Sequence, residues 1–301
     1  NTFCAHLMGS SVGFTIALFV LAALLAVCVF IGYRTTLVTC LSWFLLQSLH
    51  ARNLWVNNGG DIYLQSLLFW GMFLPWGAIW SIDSLKKKHQ EIIPQQVLTM
   101  ATVGLMLQIA LFYTFAGIHK TDPDWSKEGT ALYYAIHMDE YARPIAHFLL
   151  QFPLLLKYSS LGIYYFECCA ASLMFIPFFT KYIRMFLISI FYLLHLSIFI
   201  TFETGLFQFT AMVGLIAFWP SFVLDKLFKP FKQQYPNELI VADKNHFSWF
   251  KPPIYVSLIL LFFISYIFVL NVETLKNPFA RIPPQLRWVQ SVFYLDQPWN
   301  M

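Results

Sequence analysis

SVGFTIALFVLAALLAVCVFI, Ser11 to Ile31, decides the class of fold. It carries no charged side chain, and it is as long as the ~20 residues that cross the hydrocarbon of a bilayer as helix. Working outward, further apolar runs lie near Leu37–Leu49, Ile62–Trp80, Val97–Ile118, Tyr158–Phe179, Tyr182–Phe202, Leu206–Leu224 and Ile254–Leu270. The chain is 58% hydrophobic and only 11% charged, with a mean hydropathy of +0.62. That is more apolar surface than a soluble core can hide. The expected fold is all-α: a polytopic transmembrane helical bundle of about eight spans lying in the lipid bilayer.

One stretch does not fit a span. Gly129–Leu156 mixes His137, Asp139, Glu140, Arg143 and His147 with apolar residues and two prolines. It reads as an interfacial or re-entrant element, whose irregular backbone must be covered by protein wherever it enters the membrane. Three parts are expected: a transmembrane helical domain over residues 1–224, a cytoplasmic connector over 225–253, and a final span with a Pro-rich tail over 254–301. No internal repeat, signal peptide or lipidation motif is evident, and one span upstream of Asn1 would fit the topology.

Eight spans put the loops carrying Arg34, Lys86 to Lys88, Lys181 and Arg184, and the Lys226–Lys251 group on one side. That side holds the larger share of Lys and Arg, clustered near span ends, so it is expected to be cytoplasmic. The loop after Val97–Ile118 then faces the extracytoplasmic side. The net charge of +4 needs no nucleic-acid partner, because the Lys86–Lys88 run is accounted for by orientation and anionic lipid. Phosphate-loop and dinucleotide fingerprints are absent, and no metal site is expected: there is neither HExxH nor a Cys/His set at ligand spacing. The five cysteines form no CxxC pattern and read as small apolar packing residues.

Charge is concentrated where the run Val97–Ile118 ends. FAGIHKTDPDWSKEGTALYY, Phe115 to Tyr134, places Lys120, Asp122, Asp124, Lys127 and Glu128 close together. The bland account makes Lys120 a snorkelling lysine, with Asp122 and Pro123 starting a helix. The functional account puts Lys120 in a low-dielectric pocket, where a neutral amine becomes available as a base. Two embedded ionisable groups bear on the choice. Glu167 lies inside Tyr158–Phe179, where an ionised carboxyl costs ~2.5–3.5 kcal/mol on insertion scales unless it is paired. His195 lies inside Tyr182–Phe202. By default such groups mark a functional cavity. In HARNLWVNNGGD, His50 to Asp61, the Asn-Asn-Gly-Gly stretch predicts a tight turn. Asp61 caps the next helix or lines an outer-face cavity together with His50 and Arg52.

Five stretches occur in this order: SLHARNLWVNNGGDIYLQSLLFWGMFLPWG, WSIDSL, FAGIHKTDPDW, YYFECC, and YLLHLSIFITFETGLFQFTAMVGLIAFWP. Together they resemble the HTTM-domain family, the membrane domain that bacterial proteins share with vitamin K-dependent gamma-glutamyl carboxylase. The resemblance runs from about Leu25 to Asp225. It implies a site on the extracytoplasmic side, in a bacterial inner membrane, for reduced vitamin K or another quinol. In that site a lysine starts oxygenation of the hydroquinone, the resulting strong base takes a γ-proton from a substrate glutamate, and carbon dioxide adds. Lys120 matches that lysine, with Asp122, Asp124 and Trp125 in register; His195 matches an embedded histidine, and Glu167 stands where the carboxylase has an aspartate. Where the carboxylase follows its Asn-Asn pair with histidine, this chain reads Gly59-Gly60-Asp61. The carboxylase also carries a large soluble domain for its protein substrate. A shorter branch of the family assists maturation of a secreted toxin.

Two functions follow as expectations. The first is a carboxylase-like membrane enzyme, a lyase coupled to quinol oxygenation. In it Lys120 is the base, Glu167 and His195 tune it, Trp125 walls the pocket, and Asp61, His50, Arg52 and Asp122 contact the substrate. The second is a non-catalytic accessory for maturation, export or immunity of a peptide or small secreted protein. A transporter is disfavoured because no paired halves with broken spans are seen.

Overall fold

The computed structural model describes residues 4–53, 57–78, 81–86, 97–229, 252–293 and 295. Its elements are helical, as the apolar runs predict: α1 Val12–Phe30, α2 Thr35–Arg52, α3 Gly59–Gly71, the short α4 Ile82–Leu85, α5 Met100–His119, α6 Ala131–Ile136, α7 Pro144–Leu149, α8 Pro153–Leu173, α9 Thr180–Thr201, α10 Phe207–Leu215, α11 Ser221–Leu227, α12 Ile254–Glu273 and α13 Arg287–Phe293. Each of the eight apolar runs contains helix among the described residues. Among the described residues, four helices, α1, α5, α9 and α12, are long and apolar enough to cross a membrane. A fifth candidate is the pair Phe207–Phe218 and Ser221–Leu227, bent by 110°; Pro220, at the break, has no N–H to continue a helix. The third run behaves differently from a single span. α3 has 13 residues, roughly 20 Å of helix, against a hydrocarbon core of about 30 Å. Beyond it Trp76 Nε1 donates to the Gly71 carbonyl at 2.5 Å, folding the chain back on the helix end. A count of eight therefore goes beyond what helix length and composition support. Most of the 225–253 connector lies outside the described residues.

The chain divides into two compact units. The first comprises Asn1–Leu105, Asp225–Val269 and Ile282–Asp296; the second comprises Met106–Leu224, Leu270–Arg281 and Gln297–Met301. In the first, α1 leans on α2 through Leu25, Val38 and Leu45. The rest of α1 turns Ile16, Val20, Leu24 and Val27 outward. In water such a surface would be a liability; against lipid tails it costs nothing. The α1–α2 turn is built by Gly32 (φ 67°) and Arg34 (φ 44°), both left-handed. A side chain at Gly32 would run into Ser81.

Asp83 fastens that turn. Its carboxylate accepts from Arg34 N and Thr35 N, each at 2.8 Å, and from Thr35 Oγ1 at 2.5 Å, so it supplies the cap that α2 lacks in its own sequence. Partial burial pushes the Asp83 carboxyl up. Those donors, with the Lys86 charge, outweigh it and hold the group below its ordinary 3.8. A depressed folded value stabilises above the unfolded value, and that contribution disappears as pH falls through the folded one. Asp83→Asn keeps one acceptor oxygen but loses the other together with the charge, and is therefore expected to cost about 1–3 kcal/mol at neutral pH. The gap between wild type and variant should narrow as pH falls through the folded value, which lies below 3.8. Denaturant unfolding of the detergent-solubilised protein at several pH values checks this.

The second unit holds α6 to α10 and the last turns of α5. Gly129–Leu156, ambiguous in sequence, forms two six-residue helices, α6 and α7, and then enters α8. Neither is long enough to cross a bilayer. Ile136, Ala146 and Leu156 make a small core there, and Phe202 at the end of α9 packs against it. Arg143 N donates to Thr201 O at 2.8 Å, and Glu203 N donates to Tyr141 O at 2.7 Å. The exposed Arg143–Glu203 pair, 3.3 Å apart, adds little to this backbone link.

Candidate functional site

The last two turns of α5 carry Tyr113, Ala116 and Gly117, and Lys120 follows directly on the helix end; at i, i+3, i+4 and i+7 the four continue one face. Gly117 lets that face meet α8. A Cβ there would lie 2.7 Å from Cys168 N and 2.8 Å from its Sγ. The close approach brings Lys120 and Glu167 together. The Lys120 ammonium is hydrogen-bonded to Glu167 Oε2 and donates to Ala116 O at 3.3 Å; it also lies 5.2 Å from the centre of the Trp125 ring. The Lys120 and Glu167 side chains are only 9% and 11% exposed. A snorkelling lysine would reach outward to water. This one turns back along its own helix and is enclosed.

The chain after Lys120 holds Trp125 in position. Asp122 Oδ1 accepts from Asp124 N at 3.1 Å, and its carbonyl accepts from Trp125 N at 3.1 Å. Asp122 thus makes a local turn, as its capping reading anticipated, while its side chain remains exposed. Asp124–Glu128 forms a single π-helical turn, a rare element that recurs at functional sites. Gly129 ends it at φ 72°, and a Cβ there would lie 2.6 Å from Lys157 O on α8. Tyr165 Oη donates to Ser126 O at 3.2 Å, clamping the turn against the same helix.

His195 is 1% exposed and makes different contacts. Its Nε2 is 2.7 Å from Tyr113 Oη, and its Nδ1 is 2.9 Å from Gln208 Oε1; Gln208 Nε2 in turn donates to Thr204 Oγ1 at 2.5 Å. The Gln208 amide oxygen at Nδ1, with its nitrogen turned to Thr204, assigns the proton to Nδ1 and makes the Tyr113 hydroxyl the donor to Nε2. Rings enclose the group: Phe191 lies 4.3 Å from Tyr113 between ring centres, and Phe207 lies 5.7 Å from His195. Glu167 meets Lys120 directly. His195 instead meets Tyr113, two turns before Lys120 on the same face of α5. Tyr113 and Gln208 carry no signal in the sequence beyond being polar groups within apolar runs.

The remaining candidates belong to the first unit. Asp61 completes a capping box at the start of α3: its Oδ2 accepts from Asn58 N at 2.9 Å, while Asn58 Oδ1 accepts from Gly60 N and Asp61 N. His50 is buried at the end of α2, and its carbonyl accepts from Asn57 Nδ2 at 3.1 Å. Arg52, two residues on, is exposed.

The model of the HTTM domain matches residues 4–221, well over half of the chain. The chain belongs to the HTTM-domain family. No curated protein and no solved structure matches it at a significant level. Both the Lys120–Glu167 pair and the Tyr113–His195–Gln208 chain fall within the matched part of the HTTM domain. Chemically, the arrangement sets an enclosed amine against a carboxyl group and an indole face.

Proposed function

We propose that this HTTM-domain protein is an integral-membrane enzyme resembling vitamin K-dependent gamma-glutamyl carboxylase, with Lys120 as its base and a quinol or other lipophilic hydroxyl compound as its substrate. The observation that carries the reading is an enclosed lysine with a carboxyl partner and an indole face over its nitrogen. Together they suit a phenolic substrate: the amine takes the hydroxyl proton, Glu167 passes a proton to or from Lys120, and Trp125 stacks on the ring. A bound quinol would supply reducing electrons to dioxygen. The chain's own residues bind and orient it, exclude water and hold the proton. By the resemblance to the carboxylase, we place the opening of the site on the extracytoplasmic side.

The test is activity in proteoliposomes supplied with a reduced quinone, dioxygen and bicarbonate. Lys120→Ala is expected to abolish turnover while membrane insertion persists. Full activity in that variant would end the catalytic reading. One observation favours a second reading, that of a membrane accessory for a secreted peptide. Lys120 has a carboxylate, a carbonyl and a ring as partners, which also suits a purely structural lock. An accessory would keep its function, and a co-purifying peptide, when Lys120 and Glu167 are replaced together by methionine and leucine.

A further inference from the structure

The Lys120 side chain is enclosed, so a substrate reaches its amine only if the cover moves. The nearest cover is the Trp125 ring, carried on the π-turn Asp124–Glu128. That turn is closed on itself. Gly129 N donates to Asp124 O, as does Thr130 N at 2.9 Å, and Thr130 Oγ1 donates to Asp124 Oδ1. It therefore moves as one piece. Its C-terminal end is seated on α8, where Gly129 lies against Lys157 O and, three residues on, Leu132 N donates to Ser160 Oγ at 3.1 Å.

The edge of the turn is held differently. Among the described residues, the bond from Tyr165 Oη to Ser126 O is the one hydrogen bond between Asp124–Glu128 and α8. Its donor residue is 58% exposed, and an exposed hydrogen bond is exchanged for water at little cost. The residues before the turn, Thr121, Asp122 and Pro123, are exposed as well and are free to hinge. A piece rigid in itself, seated at one end and fastened at its edge by a single exposed bond has the build of a flap. We propose that Asp124–Glu128 is a flap over Lys120 and that Tyr165 is its latch. The amine becomes accessible when Tyr165 releases Ser126 and Trp125 swings off the lysine. Tyr165 is thus a positioning residue that acts through Trp125. That a phenolic substrate is what enters rests on the reading of Lys120 as a base; the flap itself does not.

Acetylation of the full chain in detergent by N-hydroxysuccinimidyl acetate, read at Lys120 by peptide mass spectrometry, tests this without any turnover. Lys127, exposed on the same turn, is the internal standard. Tyr165→Phe keeps the ring and removes only the donor. It should speed acetylation of Lys120 about fivefold, the rise in open population expected from losing one exposed hydrogen bond. Lys127 and the melting temperature should hardly change. Tyr158→Phe, exposed on α8 two turns earlier, should leave the Lys120 rate as it is. Trp125→Ala removes the cover, and in that background Tyr165→Phe should add nothing further. An unchanged Lys120 rate in Tyr165→Phe overturns the latch. Equal acceleration with and without Trp125 overturns the flap, because Tyr165 would then act by general loosening. Acetylation needs no substrate, so either failure is distinct from the failure of the catalytic reading, which full activity in Lys120→Ala would bring.

Discussion

Glu167→Leu is expected to destabilise the protein by about 3–5 kcal/mol, the usual cost of removing one partner from a buried ion pair. The variant leaves the Lys120 ammonium enclosed with only the Ala116 carbonyl and the Trp125 ring for partners, and neither carries a negative charge. Lys120→Met should cost a similar amount for the mirror-image reason, leaving the Glu167 carboxylate unpaired in an enclosed site. The double variant is the decisive member of the set. Replacing both partners by apolar side chains of similar volume removes the desolvation cost along with the attraction, so it should lie within about 1 kcal/mol of wild type, or above it. Denaturant unfolding of the four proteins in one detergent gives the cycle. If the two single changes simply add, the groups do not interact and the site must be redrawn. The cycle also separates stability from chemistry. A double variant that is stable but inactive assigns the pair to the reaction, whereas one that is stable and functional makes it a lock.

Gly129→Ala is the second large effect. The residue sits at φ 72°, where a Cβ costs roughly 1–2 kcal/mol in backbone strain. Its Cβ would also be driven to 2.6 Å from the Lys157 carbonyl, an atom of helix backbone that cannot rotate away. Overpacking of that kind adds about 1–3 kcal/mol, for a total of roughly 2–5 kcal/mol. Gly162→Ala is the matched control. It lies on α8 as well, and nothing stands within 4 Å of the Cβ it would gain. It should be neutral or slightly stabilising, since alanine is the better helix former. Equal melting temperatures for the two variants would mean that Gly129 is not the fixed point of the turn carrying Trp125.

Much of the fold could be read from the apolar runs, because a bilayer imposes length and hydropathy on anything that crosses it. Those limits do not reach the protein-facing parts. α3 stops at Gly71 because Pro75 and Trp76 fold back on it, while the run of apolar residues continues past the break. Glu167 stands out as a charge within an apolar run, and Lys120 as one of a charge cluster at the end of another. Their contact does not, since it depends on how closely two helices approach at Gly117, and a glycine within an apolar run has many other uses. The partners of His195 were hidden for a related reason. Gln208 and Tyr113 are ordinary residues in sequence, and only the crossing of three segments makes them a chain. Asp61 was legible in both of its readings, and the cap is the one that the hydrogen bonds display.

The π-turn at Asp124–Glu128 also says something about how this surface can change. Such a turn is an α-turn with one residue to spare, so its length can alter by a single deletion without unwinding either neighbour. Losing one residue there would tighten the turn and swing the residues within it by about a hundred degrees around the local axis. Trp125 would leave the lysine, while Gly129 kept its seat on α8. Insertions and deletions at this one place thus offer a way to retune the ring facing the amine with the surrounding helices left in place.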